Sequence, residues 1–168
     1  MRDSDGLDNN PHVSRSALEA IHSQVFGWAL SRCNYEQMVA EDLVQQAYME
    51  LLTGRARYDG GSSLQTFVFS VVQNLARSRF RRRATRLRLV HKAMPEDDVA
   101  HPDEPLQGDR VWRAVQQLPP RQRDIVELVF CRDLTIEEAS RVMGVSTGTG
   151  RVHYDRAKKA LREKLGDD

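Results

Sequence analysis

The feature that most constrains this chain is a reversal of charge near its middle. From Arg77 to Lys92 stand eight basic residues (Arg77, Arg79, Arg81, Arg82, Arg83, Arg86, Arg88 and Lys92) with no acidic residue among them. From Ala93 to Asp109 the sign flips to Glu96, Asp97, Asp98, Asp103, Glu104 and Asp109, interrupted by Pro95, Pro102 and Pro105. Neither stretch can line a core, because a buried charge needs a partner of opposite sign beside it. The acidic, proline-bearing stretch reads as a solvated linker. The 168 residues are enough for one ordinary domain or two small ones, and the break selects two. The expected organisation is a flexible leader over 1–14, a first domain over 15–91, a flexible acidic linker over 92–108 and a second domain over 109–168. A 17-residue tether spans roughly 20–25 Å as a random coil and at most about 60 Å fully stretched.

On both sides of the break the apolar period is that of a helix. Leu18, Ile21, Val25 and Trp28 recur at three- and four-residue spacing. Leu43, Val44, Ala47, Tyr48, Leu51 and Leu52 form a second stripe, and Leu64, Phe67, Val68, Val71, Val72 and Leu75 a third. Each stripe needs a partner to bury it, so the three helices are expected to pack as a bundle, with the polar, glycine-bearing loop Thr53–Ser62 between the second and third. The fold class is all-α, two small helical domains.

In the second domain, Val111, Val115 and Leu118 mark one helical segment, and Ile125, Val126, Val129 and Phe130 another after Pro119-Pro120. Thr135-Ile136-Glu137-Glu138 has the form of a capping box, which starts a short helix with Ile136, Ala139, Val142 and Met143 inward. Gly144 can take the left-handed conformation that ends it, and Ser146 can cap the next helix. Helix, short glycine turn and helix together form the helix-turn-helix signature. The last helix places Tyr154, Ala157 and Leu161 at core spacing, with Arg151, Arg156, Lys158, Lys159, Arg162 and Lys164 elsewhere. Such a helix fits the DNA major groove, with Thr147, Thr149 and Arg151 reaching base edges and the later cations meeting phosphates; the plainer alternative is a solvated cationic helix. The arginine run also has two readings, a basic helix end laid along phosphates or a solubilising tail. Its fusion to Phe67, Phe69 and Phe80 favours the first, since single-strand binding combines cations with stacking aromatics.

Catalysis finds little support. There is no phosphate-cradling glycine loop, no HExxH, and no nucleophile set at diagnostic spacing. The five histidines (His12, His22, His91, His101, His153) are scattered, and His22 reads as a packed or surface residue rather than a ligand. Cys33 and Cys131, nearly a hundred residues apart, exclude a disulfide scaffold and a sequence-local zinc knuckle. No apolar run approaches the length of a membrane span, so a cytoplasmic protein without membrane insertion, cofactor, metal or catalytic residue is expected. With a formal net charge of only +1, affinity for nucleic acid must come from charge distribution, not from the total.

Taken in order, these segments resemble bacterial RNA polymerase sigma factors. Ala40-Glu41-Asp42-Leu43-Val44-Gln45-Gln46-Ala47-Tyr48 is similar to the region-two helix that binds the polymerase core. Leu64-Gln65-Thr66-Phe67-Val68-Phe69, with Asn74-Leu75-Ala76-Arg77 and the arginines, resembles the family's promoter-melting and minus-ten-reading helix. Leu118-Pro119-Pro120-Arg121-Gln122-Arg123 and Leu134 through Thr149 resemble region four, which reads the minus-thirty-five element. Regions two and four joined directly by a short linker resemble the extracytoplasmic-function (ECF) group.

The resemblance implies that Asp42, Gln45 and Gln46 face the clamp helices of the polymerase core. It implies that the Thr53–Ser63 loop captures a flipped base, and that Asn74, Arg77, Phe80 and Arg81 follow the opened minus-ten region. It implies that Ser146, Thr147, Thr149, Arg151, Val152 and Arg156 meet the minus-thirty-five duplex. It further implies promoter DNA, the polymerase core and an anti-sigma factor as partners. Gly150 stands where the family has a buried aliphatic, and is expected to soften the start of the recognition helix. Val152 and His153 also depart from the family pattern and point to base readout particular to this chain, with Val152 against a thymine methyl. Leu64, Gln65 and Thr66 replace the aromatic-rich melting segment, which bears on melting strength. Two rival readings are a stand-alone helix-turn-helix regulator with an N-terminal dimerisation or ligand module, and a small recombinase using Ser78. The region-two motifs oppose the first, and Ser78 reads as a surface serine. The charge reversal also suggests that the acidic linker lies against the basic DNA-binding surfaces.

Overall fold

A computed structural model of the chain describes residues 13–90 and 110–166. The expected linker, with its suggested contact to basic surfaces, and nearly all of the leader lie outside these residues. Internal contacts divide the chain into two units, Met1–Pro102 and Asp103–Asp168, and among the described residues every regular element is helical.

The first unit is a three-helix bundle: α1 (Arg15–Arg32), α2 (Gln37–Leu52) and α3 (Leu64–Val90), each packed on the other two. Ser14 caps α1 by accepting from the Ala17 amide at 3.1 Å. The core is built from Leu18, Val25, Trp28 and Ala29 of α1, Ala40, Leu43, Val44, Ala47 and Leu51 of α2, and Val68, Phe69, Val71 and Val72 of α3. The third stripe differs from the expected one in its aromatic. Phe69 is fully buried, stacked on Trp28 with ring centroids 6.0 Å apart, and its carbonyl accepts from Trp28 Nε1 at 3.2 Å. Phe67 is only half-buried, against Tyr58. A bundle in which α3 meets two helices buries a wider arc than a single stripe, which also draws Thr66 and Gln73 inside. Thr66 is held by Ser63, whose hydroxyl accepts from the Thr66 amide at 3.1 Å at the start of α3.

Burial in α3 stops at Gln73, yet the helix continues to Val90. The arginine run is therefore helical, and its described side chains beyond Ser78 lie mostly exposed.

In the second unit, α4 (Arg110–Gln116), α5 (Pro120–Val126) and α6 (Ile136–Met143) all pack against α7 (Thr147–Leu165). Leu118, Ile125, Val126, Leu128, Leu134, Ala139, Val142, Met143 and Ala157 form most of its core. Pro120 starts α5 without loss, since a first-turn amide lacks a helical partner anyway. The capping box is present in full: Thr135 Oγ1 accepts from the Glu138 amide at 3.1 Å and Glu138 Oε2 accepts from the Thr135 amide at 2.8 Å. Gly144 closes α6 with φ of 68°, and the Ser146 hydroxyl caps α7 by accepting from the Thr149 amide at 3.1 Å.

Three expectations need correction. A π-helical turn, Glu127–Cys131, continues α5; its extra residue shifts the register, so that Glu127 and Leu128 turn inward and Phe130 is 61% exposed instead of joining the core. Val111 likewise stands exposed on α4. Gly150 does not leave a packing gap in α7. It is buried where α6 crosses, and a Cβ at that position would collide with the Ser140 hydroxyl and come within 3.0 Å of Ser140 Cβ and 3.6 Å of Ile125 Cδ1. The glycine is what lets the two helices of the helix-turn-helix approach closely.

Candidate nucleic-acid and protein interfaces

The outer face of α2 is acidic. Between Gln37 and Leu52 the charged residues are Glu41, Asp42 and Glu50, with no lysine or arginine. Asp42, Gln45 and Gln46 are all exposed and gathered within about one turn. Asp42 and Gln45 continue into a stripe with Met38 and Met49, spaced i, i+4, i+7 and i+11 on the side of the helix away from the core. Met38 is 81% exposed and Met49 48%. Sequence reasoning passed over both methionines, although the same helical period that marks the core stripe marks this opposite one. The face is flanked by Tyr48, whose hydroxyl pairs with His22 Nδ1 at 3.0 Å and whose pKa is raised by partial burial. His22 is thus a surface residue bound to a neighbour.

The loop from Thr53 to Ser63 is tied at several points. Thr53 Oγ1 donates to the Met49 carbonyl at 2.7 Å, the Ala56 amide to the Glu50 carbonyl at 2.8 Å, and the Tyr58 hydroxyl to the Ser62 carbonyl at 2.6 Å. Asp59 Oδ1 accepts from the Gly61 amide at 2.9 Å around Gly60, whose φ is 79°. The tip leaves Arg57, Asp59, Gly60 and Gly61 exposed. The loop is therefore a shaped surface, anchored beneath by Tyr58 against Phe67 at 5.3 Å between ring centroids.

α3 presents the opposite charge. Over its whole length it carries no acidic residue. Asn74, Arg77 and Arg81 follow one stripe at i, i+3 and i+7, with Asn74 and Arg81 exposed and Arg77 half-buried. Phe80 stands beside them, 68% exposed, a ring with no core role. Aromatic and cations on one exposed helix suit an unpaired strand, whose bases stack and whose phosphates attract arginine.

In the second unit Ser146, Thr147, Thr149, Arg151, Val152 and Arg156 are all exposed on the first half of α7 or at its cap. The Ser146 hydroxyl pairs with Thr149 Oγ1 at 2.9 Å as well as capping the helix, so these two side chains are already fixed by each other. Thr149, Val152 and Arg156 lie along the stripe away from the core, one turn apart. Arg121 of α5 donates to the Met143 carbonyl at 3.3 Å and ties the end of α6.

Both cysteines are free thiols. Cys33 is half-buried and its Sγ lies 3.1 Å from the Ala29 carbonyl; burial, then Glu36, pushes its pKa up. Burial and then Glu127 do the same for Cys131. Among the described residues there is no cluster of ligands that could hold a metal ion and no helix long and apolar enough to cross a membrane.

Two family profiles match: residues 17–86 as Sigma-70 region 2 and residues 108–161 as Sigma-70, region 4. Among curated relatives, the chain is 29% identical over 163 residues to the ECF RNA polymerase sigma factor SigF of Caulobacter vibrioides, covering 95% of this chain and 89% of the relative. It is 28% identical over 157 residues to the RNA polymerase sigma factor CarQ of Myxococcus xanthus, covering 89% and 88%. Among solved structures, the sigma factor RpoE bound to the anti-sigma factor NepR from Bartonella quintana shares the fold with a TM-score of 0.70 at 24% identity, over 90% of this chain and 95% of that one. CnrH in complex with the cytosolic domain of CnrY shares it with a TM-score of 0.61 at 20% identity, over 95% and 94%. With both regions matched in chain order and relatives aligned along nearly its full length, the chain belongs to the sigma-70 family of bacterial RNA polymerase sigma factors, in the extracytoplasmic-function group.

Proposed function

We propose that this chain binds the RNA polymerase core, directs it to particular promoters and helps open them, using one charged face of the first unit for each partner. The observation that carries this reading is the charge division between α2 and α3: an acidic, amide-bearing face suits a basic protein surface, and a cationic helix with an exposed aromatic suits an opened strand. Asp42, Gln45 and Gln46 bind the core. Asn74, Arg77, Phe80 and Arg81 engage the minus-ten region, and the Thr53–Ser63 loop receives a base turned out of the stack, an unstacking that costs a few kcal/mol. Ser146, Thr147, Thr149, Arg151, Val152 and Arg156 meet the minus-thirty-five duplex, with Val152 placed for a thymine methyl.

The chain's part is binding, and catalysis stays with the polymerase. Its domains are residues 15–91 and 109–168, and it acts in the cytoplasm, where polymerase and promoter are. The sigma factor RpoE, which shares this fold, is solved bound to the anti-sigma factor NepR, and such a protein is the expected negative regulator here. The test is transcription by purified core with and without the chain on fragments of its source genome. Discrete new start sites that depend on the chain support the reading. DNA binding with no core binding and no such transcripts overturns it in favour of a stand-alone regulator.

A further inference from the structure

Resting on the polymerase-binding reading of α2, we infer that Met38 and Met49, with Tyr35 at the preceding turn, are the apolar anchors of that interface, which therefore reaches well beyond Asp42, Gln45 and Gln46. The methionines bracket Asp42 and Gln45 on one straight stripe, 11 residues apart, or about 16 Å along the helix axis. Neither belongs to the core that Ala40, Leu43, Val44, Ala47 and Leu51 fill: Met38 is 81% exposed and Met49 48%. Interface cores are enriched in methionine and aromatics, and the unbranched thioether adapts to a partner's grooves.

The turn adds a second observation. Asn34 and Tyr35 both adopt left-handed backbone, φ 54° and 59°, and Tyr35 keeps 42% of its surface exposed. A bulky residue in that conformation is disfavoured. Here it is held by the Tyr35 amide donating to the Leu30 carbonyl at 2.9 Å, and it places an aromatic ahead of Met38. The charge of α2 selects the class of occupant. Glu41 and Asp42 stand exposed on a helix that carries no lysine or arginine, while Glu50 at its far end is met by Arg55 at 3.8 Å; the exposed acidic pair disfavours nucleic acid, so the partner is a protein surface combining apolar grooves with basic residues.

The test measures the affinity of purified polymerase core for the full chain and for Met38→Ser, Met49→Ser, Met38→Leu and Tyr35→Ala. Asp42→Ala serves as the reference for the polar centre, and Val111→Ser, an exposed apolar residue on α4, as the control. Thermal unfolding of each variant reports whether the bundle is intact. Expected is about a tenfold loss for each serine variant and for Tyr35→Ala, recovery in Met38→Leu, and no change in Val111→Ser. Serine variants within twofold of the parent chain, while Asp42→Ala weakens binding, overturn the anchor proposal and leave the polymerase reading standing. Failure of the unaltered chain to bind core overturns both. Loss in Met38→Ser that Met38→Leu does not recover also counts against it, since a groove for an apolar side chain accepts either.

Discussion

Helices α2 and α3 lie side by side in one bundle, bury comparable apolar stripes and share no surface chemistry. α2 ends at Leu52, one residue past its last buried side chain, Leu51, and its charged residues are all acidic. α3 runs on for 17 residues past its last buried side chain, Gln73, about 25 Å of helix, with seven arginines and no acid. Packing decides that both are helices and which arc faces inward, and it says nothing about the outer arc. That arc is where the partner is specified, and opposite signs keep a protein partner and a polyanion from competing for the same face.

Four changes break or sharpen this contrast. The largest effect is expected from Phe69→Ala, which removes the fully buried α3 ring that stacks on Trp28 of α1 in the shared core: about 3–5 kcal/mol in denaturant unfolding, with core and DNA binding lost together. Retention of either activity at full strength would mean that the two faces do not depend on a common core. Gly150→Ala should cost about 1–3 kcal/mol by overpacking against Ser140. Chemical denaturation should place that loss in the second unit, with minus-thirty-five binding weakened and core affinity unchanged; a stabilised variant would restore the view of Gly150 as a soft spot. Arg77→Gln with Arg81→Gln should weaken an opened minus-ten fragment about tenfold and flatten the salt dependence of log K by about two phosphate contacts, again without touching core affinity. Smallest is Thr135→Ala, which removes the α6 cap for about 1 kcal/mol and is read as a modest shift in the unfolding midpoint, with both faces of the first unit intact.

Much of this was legible in the residues, for identifiable reasons. The three bundle helices, the capping box at Thr135, the left-handed Gly144 and the Ser146 cap depend on local spacing and local hydrogen bonds, which a sequence displays. Features that depend on a neighbouring element did not show. Phe69 is inside because α3 meets two helices at once, and Phe130 is outside because a π-turn shifts the register after Val126. Gly150 looked like a weak point in a lone helix and is instead the contact where α6 crosses α7. At the candidate interfaces the polar and charged residues stood out by motif, while Met38 and Met49, plain apolar letters, emerged only when burial showed which way they point.

The central claim is that α2 and α3 serve different partners. It is tested most directly by measuring, for one set of variants, affinity for polymerase core and affinity of the assembled holoenzyme for an opened minus-ten fragment. Asp42→Ala with Gln45→Ala is predicted to weaken core binding about tenfold or more while the holoenzyme formed at saturating chain binds the fragment normally. Arg77→Gln with Arg81→Gln is predicted to do the reverse. Variants of either helix that lowered both affinities alike, with the bundle still folded, would contradict it.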